Sequence, residues 1–143
     1  MLKLKEAISL CDKVIAYGEH RQYNPLTAVV LDRGGHILCT LRHEDCGILR
    51  FDIAYGKAWG ALGMGFGTRG FANMVQSSEK MQSFVHSLSV MSGGRVVPTQ
   101  GGVLIRNSNG DLLGAIGVSG DSSERDEECI LHAVRSMGMI AQP

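Results

Sequence analysis

No run of apolar residues approaches the roughly 18 that a membrane-spanning helix requires. The first twenty residues mix charges among their apolar positions, and no small-residue cleavage site follows, so no secretory signal is expected. Net charge is absent as well. Fourteen Lys and Arg balance fourteen Asp and Glu, which excludes the broad basic footprint of most nucleic-acid binders. The same balance removes net repulsion as a defence against self-association. The four cysteines, Cys11, Cys39, Cys46 and Cys129, form no CxxC pair. They read as reduced thiols of a cytoplasmic protein, and a zinc site is not expected. Catalytic signatures are missing too: there is no Walker A loop, no Gly-x-Ser-x-Gly elbow and no His-Glu-x-x-His pair.

What is present describes a folded chain. Of 143 residues, 44% are hydrophobic and 20% charged, a globular composition on a length that suits one domain spanning 1–143. Nineteen glycines exceed the needs of ordinary turns, so some must sit where backbones or ligands approach closely.

Apolar residues Leu4, Ile8, Cys11 and Ile15 recur at helical spacing, predicting an amphipathic helix over residues 2–19 that Gly18 and Asn24-Pro25 bring to a stop. Residues 26–31 and 36–42 are β-rich runs around the turn Asp32-Arg33-Gly34-Gly35, the clearest hairpin in the chain. A helix is expected over 48–66, with a smooth stripe at Gly56 and Gly60 that fits close packing against another element or a subunit. A further helical stretch over 68–91 should break near Ser77-Ser78. Strands follow at 95–98, 101–105 and 112–119, and a last helix, capped by Ser122 or Ser123, runs to about Met139. The order α-β-β-α-α-β-β-β-α predicts an α+β fold with an antiparallel sheet flanked by helices.

Two groups of residues carry candidate chemistry. Arg42, His43, Glu44, Asp45 and Cys46 crowd polar and reactive groups into the end of a strand and the next turn. There Arg42 can clamp a carboxylate and Asp45 or His43 can move a proton. A solvated turn with a local ion pair explains the same residues. Glycines at 101, 102, 114, 117 and 120 fit either a helix packed close over the sheet or the approach of a ligand. Of the five histidines, any can bind iron or shuttle a proton; His36 follows the hairpin turn and His20 ends the first helix.

Several short motifs in order resemble the GlcG/HbpS family of small haem-binding proteins. They are Asp32-x-Gly-Gly-His36, Arg42-x-x-Asp45, Asp52-Ile-Ala-x-x-Lys57-Ala58, Gly101-Gly102-Val103-x-Ile105, Gly114-Ala-Ile-Gly117-Val-Ser-Gly120 and Asp126-Glu-Glu128. The same fold forms the C-terminal domain of PduO-type cobalamin adenosyltransferases. The resemblance implies a profilin-like domain, homo-oligomers built from dimers, and a pocket that takes haem or a related tetrapyrrole in some members. On that reading His36 is the first candidate for the iron and His20 the second. Arg42, Lys57 and the Gly101-Gly102 amides would meet propionates or a smaller carboxylate. The alternative is a small catabolic enzyme acting on an organic acid or ring-cleavage product, with Asp45, His43 or His36 as acid–base groups. A third reading, a structural subunit that scaffolds other enzymes, rests on the neutral charge and the glycine-smooth helix.

Overall fold

The computed structural model describes all residues, 1–143. Helix α1 (Leu4–His20) leads to the hairpin β1 (Thr27–Asp32) and β2 (Ile37–Arg42). Three helices follow, α2 (Leu49–Met64), α3 (Thr68–Ser77) and α4 (Glu79–Met91). Then come β3 (Gly102–Arg106), β4 (Leu112–Ser119), α5 (Ser123–Ser136) and a short β5 (Ile140–Gln142). The five strands form one antiparallel sheet in the order β2-β1-β4-β3-β5. No helix is long and apolar enough to cross a membrane.

The α+β architecture and antiparallel sheet are as expected, but the element order differs at two places. Residues 95–98 are not a strand. Two serines take the backbone groups a ladder would have used: Val96 N–H donates to Ser92 Oγ (3.1 Å) and Ser89 Oγ–H donates to the Val96 carbonyl (2.7 Å). Pro98 has no N–H to offer. The segment lies across α2 instead, where a Cβ on Gly56 would overlap the Arg95 carbonyl. The final strand is β5, which pairs with β3. Gly138, at φ +74°, turns the chain out of α5 three residues before the helix was expected to end.

Other boundaries follow from local chemistry. Gly18 does not stop α1. It is buried in the last turns, where a Cβ would stand 2.6 Å from the Leu26 side chain, so the small residue lets the chain fold back. The helical stretch 68–91 breaks where expected: Ser78 is extended, and its Oγ accepts Met81 N–H (3.1 Å) to cap α4.

Both faces of the sheet are covered, which is why β1 reads as an almost continuous apolar run. Its Ala28 and Val30 join Leu10, Cys11 and Val14 of α1 and Ile130 and Val134 of α5 in the larger core. Val29 and Leu31 face the other way, toward Ala54, Ala58 and Ala61 of α2. This second layer is built from small residues. A Cβ on Gly117 would overlap the Ala54 carbonyl, and one on Gly102 the Lys57 carbonyl. Gly102 and Gly117 are therefore covered by α2, whereas a Cβ on Gly114 would overlap the Leu31 carbonyl of β1.

Candidate functional site

The sheet has two ends, and the strands decide which side chains meet at each. Thr27, Arg42, Ser119 and Gly102 begin or finish their strands at one end; Asp32, Ile37, Arg106 and Leu112 lie at the other. The five steps from Thr27 to Asp32 separate the ends by about 17 Å.

At the hairpin end, one carboxylate oxygen organises the turn. Asp32 Oδ1 accepts the amides of Gly34 (2.8 Å) and His36 (3.0 Å) and lies 3.2 Å from His36 Nδ1. Burial pushes the Asp32 carboxyl up, but the His36 and Gly34 amides, aided by the imidazole, hold it below the usual carboxylate range. In the neutral tautomer that donates Nδ1–H to Asp32, His36 keeps the Nε2 lone pair free, the arrangement common to metal-binding histidines. The ring packs over Gly34 and its side chain is 82% exposed. Beside it is an open groove of 220 Å³ lined by Arg33, Gly34, Gly35, Trp59, Leu62 and Gly63. The Arg95 guanidinium lies 4.2 Å from the Trp59 ring centre. Trp59, Arg33 and Arg95 were not among the residues singled out from sequence. Trp59 lies one turn ahead of Gly63 on α2, and only the fold brings it against Gly35.

The opposite end holds most of the other candidates. Arg42 Nη2 donates to the carbonyls of Cys46 (2.6 Å) and Glu44 (3.2 Å), so the guanidinium closes its own loop. His43 Nδ1 accepts Asp45 N–H (3.1 Å), and its Nε2 stands 3.5 Å from Glu19. Asp45 and His20 are exposed. Lys57 is buried, donating to the Val118 carbonyl (2.9 Å) and to Asp126 Oδ2 (3.2 Å). Asp126 Oδ1 accepts Asp121 N–H (3.0 Å). Burial pushes the Lys57 ammonium down, with Asp126 pulling the other way. Gly102 N–H donates to Thr68 Oγ1 (2.8 Å), and Gly101, at φ +110°, packs against Lys57 Nζ. Lys57, Gly101 and Gly102 thus form a closed knot inside the chain. Arg42, His43, Asp45 and His20 share the outer part of this end, and His36 stands apart from all of them.

Two larger grooves are acidic. The broadest, 620 Å³ between α1 and α5, carries Glu124, Glu127 and Glu128 against Arg135. Its aromatic wall is Tyr17 stacked on His132 at 4.1 Å. Tyr17 and Tyr23 hydroxyls both donate to Glu128 (2.9 and 2.7 Å), and Arg69 pairs with Glu127. The other, 440 Å³ between α1 and β2, sets Asp12, Glu19 and Glu44 against Arg42. Of these three grooves, only the one at the hairpin carries a basic residue and no acidic one.

Comparison with known proteins agrees with this architecture. Residues 2–135 match the family model described as haem degrading protein HbpS-like. A 15.0 kDa protein encoded between dhaT and dhaS in Citrobacter freundii is 31% identical over 102 residues, 71% of this chain and 68% of that one. The corrinoid adenosyltransferase PduO of Citrobacter freundii is 27% identical over 138 residues; these are 96% of this chain but only 39% of PduO. Among solved structures, the PduOC:haem complex superposes with a TM-score of 0.86 at 24% identity, covering 99% of both chains. The Klebsiella pneumoniae protein ORFY gives 0.80 at 26% identity, covering 94% of this chain and 91% of that one. A Streptomyces reticuli HbpS variant gives 0.77 at 22% identity over 96% of this chain and 87% of its own. With the family model spanning nearly the whole chain and the same sheet and helices in its structural neighbours, the protein belongs to the HbpS-like family.

Proposed function

We propose that the protein binds haem, or a closely related tetrapyrrole, at the hairpin end, with His36 Nε2 as the axial ligand. The observation that carries this reading is the Asp32–His36 pair, which fixes the ring and leaves its outer nitrogen free beside a groove with an indole in its wall. A porphyrin needs three things from a protein: a ligand for iron, an apolar or aromatic surface for the ring, and cations for its propionates. His36 supplies the first, Trp59 and Leu62 the second, and Arg33 with Arg95 the third. Both acidic grooves offer like charge to the propionates and so discriminate against them. His132, in the broader of these grooves, is therefore a weaker candidate than His36. Bound haem supplies redox and oxygen chemistry at its iron; the protein's own part is ligation, orientation and exclusion of water.

The groove's 220 Å³ falls short of the roughly 300–1,000 Å³ of enclosed small-molecule sites. Haem held there stands proud of one chain, so the site is completed by a second copy in a homo-oligomer built from dimers. Four free thiols fit a cytoplasmic setting. Haemin titration of the apo-protein tests the reading. Saturation near one haem per chain with a sharp Soret band is expected, and a featureless rise without saturation overturns it.

A further inference from the structure

Of the four thiols, two share one layer of the fold. Cys11 lies on α1 and Cys39 on β2, an edge strand of the sheet. The ladder sets Cys39 opposite Val30 and Leu41 opposite Ala28. Residues opposite one another on neighbouring strands share a face, and Ala28 and Val30 point into the core beneath α1 and α5. Cys39 therefore turns its side chain toward α1, and it packs on the same core. From the helix, Cys11 reaches down to the sheet. Its Sγ lies 3.9 Å from the Ala28 carbonyl oxygen and 4.0 Å from that of Cys39.

The two thiols differ in access. Cys11 is fully buried, whereas Cys39 is partly exposed on the edge strand. Burial, the neighbouring Cys39 thiol and Asp12 all push the Cys11 thiol up. Cys39 is therefore the sulfur that a dissolved reagent meets first. The remaining cysteines are held elsewhere. Cys46 Sγ accepts the Thr27 hydroxyl (3.2 Å) and donates to the Pro25 carbonyl (3.3 Å). Cys129 is buried on α5 against Gly18 of α1, and burial pushes its thiol up to about 12.

We infer that Cys11 and Cys39 are a reversible thiol-oxidation site, at which a low-molecular-weight disulfide drives closure of an internal bond between α1 and β2. The chemistry is two thiol–disulfide exchanges. The Cys39 thiolate attacks one sulfur of the external disulfide, forming a mixed disulfide at Cys39 and releasing one thiolate. Cys11 gives up its proton to that thiolate and attacks Cys39 Sγ, forming the internal bond and releasing the second thiolate, which takes up the proton that Cys39 had lost. Two protein thiols are oxidised, and the external disulfide is reduced to two thiols. Because Cys11 is buried and protonated, the second exchange is the slower one. The bond ties the edge strand, which pairs on one side only, to the helix that covers it. Reduced thiols are the resting state in a reducing compartment, and oxidation fastens the hairpin whose turn carries His36. Closure needs no haem, so the inference stands independently of the proposed function.

The test treats the reduced protein with oxidised glutathione and follows intact mass and non-reducing tryptic maps. A glutathione adduct at Cys39 should appear first. It should give way to a chain about 2 Da lighter than the reduced one. Trypsin places Cys11 in residues 6–13, Cys39 in 34–42 and Cys46 in 43–50, so the linked pair is read directly on wild type and needs no folded variant. Dithiothreitol should reverse the change. Closure should raise Tm by about 5–10 °C, and oxidised glutathione should leave the Tm of Cys39→Ser unchanged. A chain that stays reduced, an adduct at Cys39 that never closes, or a bond to Cys46, to Cys129 or between chains overturns the inference. So does an oxidised chain whose Tm is unchanged or lower.

Discussion

Lys57, a candidate ligand-binding residue in sequence, is held in the fold by a buried ion pair with Asp126. Both are almost fully buried, at 2% and 1% exposure, and both are hydrogen-bonded. Burial pushes the lysine down and the aspartate up, the signature of a pair whose desolvation opposes its attraction. Removing one partner strands the other charge. Asp126→Ala should cost about 3–5 kcal/mol in urea unfolding, and the double variant Lys57→Met/Asp126→Leu should cost less than the single one. Glu128 makes a pH prediction of known sign. The Tyr23 hydroxyl, then the Tyr17 hydroxyl and Arg21, hold its carboxyl below the usual value against burial. The native state therefore binds fewer protons than the unfolded state. The contribution is full above the ordinary carboxylate pKa and is lost as pH falls through the native one. Tyr23→Phe should shallow the acid limb of a urea-midpoint profile between about pH 7 and 3. An unchanged limb would show that the hydroxyl does not act on Glu128. Legibility at this scale was uneven. His36 stood out because it follows a turn whose Asp32 and glycines are adjacent in sequence. Trp59, Arg33 and Arg95 did not, since their meeting depends on how α2 and residues 95–98 cross the hairpin.

Among the elements, α2 and β4 set the tolerance of the fold. Their approach is close because alanines on the helix face Gly117 and Ala115 on the strand. Gly117→Ala should lose at least 1–3 kcal/mol, roughly the cost of overpacking, or fail to fold. Gly63, on the same helix, has open space where its Cβ would be. Gly63→Ala should raise stability by up to about 1 kcal/mol through helix propensity. Thermal unfolding of both variants checks the contrast, and equal effects would contradict it. The elements themselves were largely readable. Periodicity located α1 and α2, the Asp32–Gly35 turn located the hairpin, and Ser77-Ser78 marked the break between α3 and α4. The errors fell where side chains or a glycine overrode the pattern. Ser89 and Ser92 keep residues 95–98 out of the sheet, and Gly138 releases β5 from what looked like the end of α5.

For the whole molecule, charge is balanced, with fourteen basic and fourteen acidic residues, and, of the three grooves, the one that is basic without an acidic residue lies at the hairpin. The family resemblance pointed to haem and to dimers, and the proposed haem site at the hairpin is the reading the groove geometry supports. Composition alone excluded classes of partner but named none, because ligand sites here depend on which strand ends the sheet brings together. Sequence placed His36 and Arg42 in one site. The length of β1 separates them within a chain.

The central claim is that His36 ligates haem iron, and the Soret spectrum of the haem complex tests it most directly. Wild type and His36→Ala should be compared at saturation, each with and without free imidazole. A shifted or lost Soret band in His36→Ala, restored toward wild type by imidazole, is the predicted result. Superimposable spectra from the two proteins would place the iron elsewhere and contradict the account.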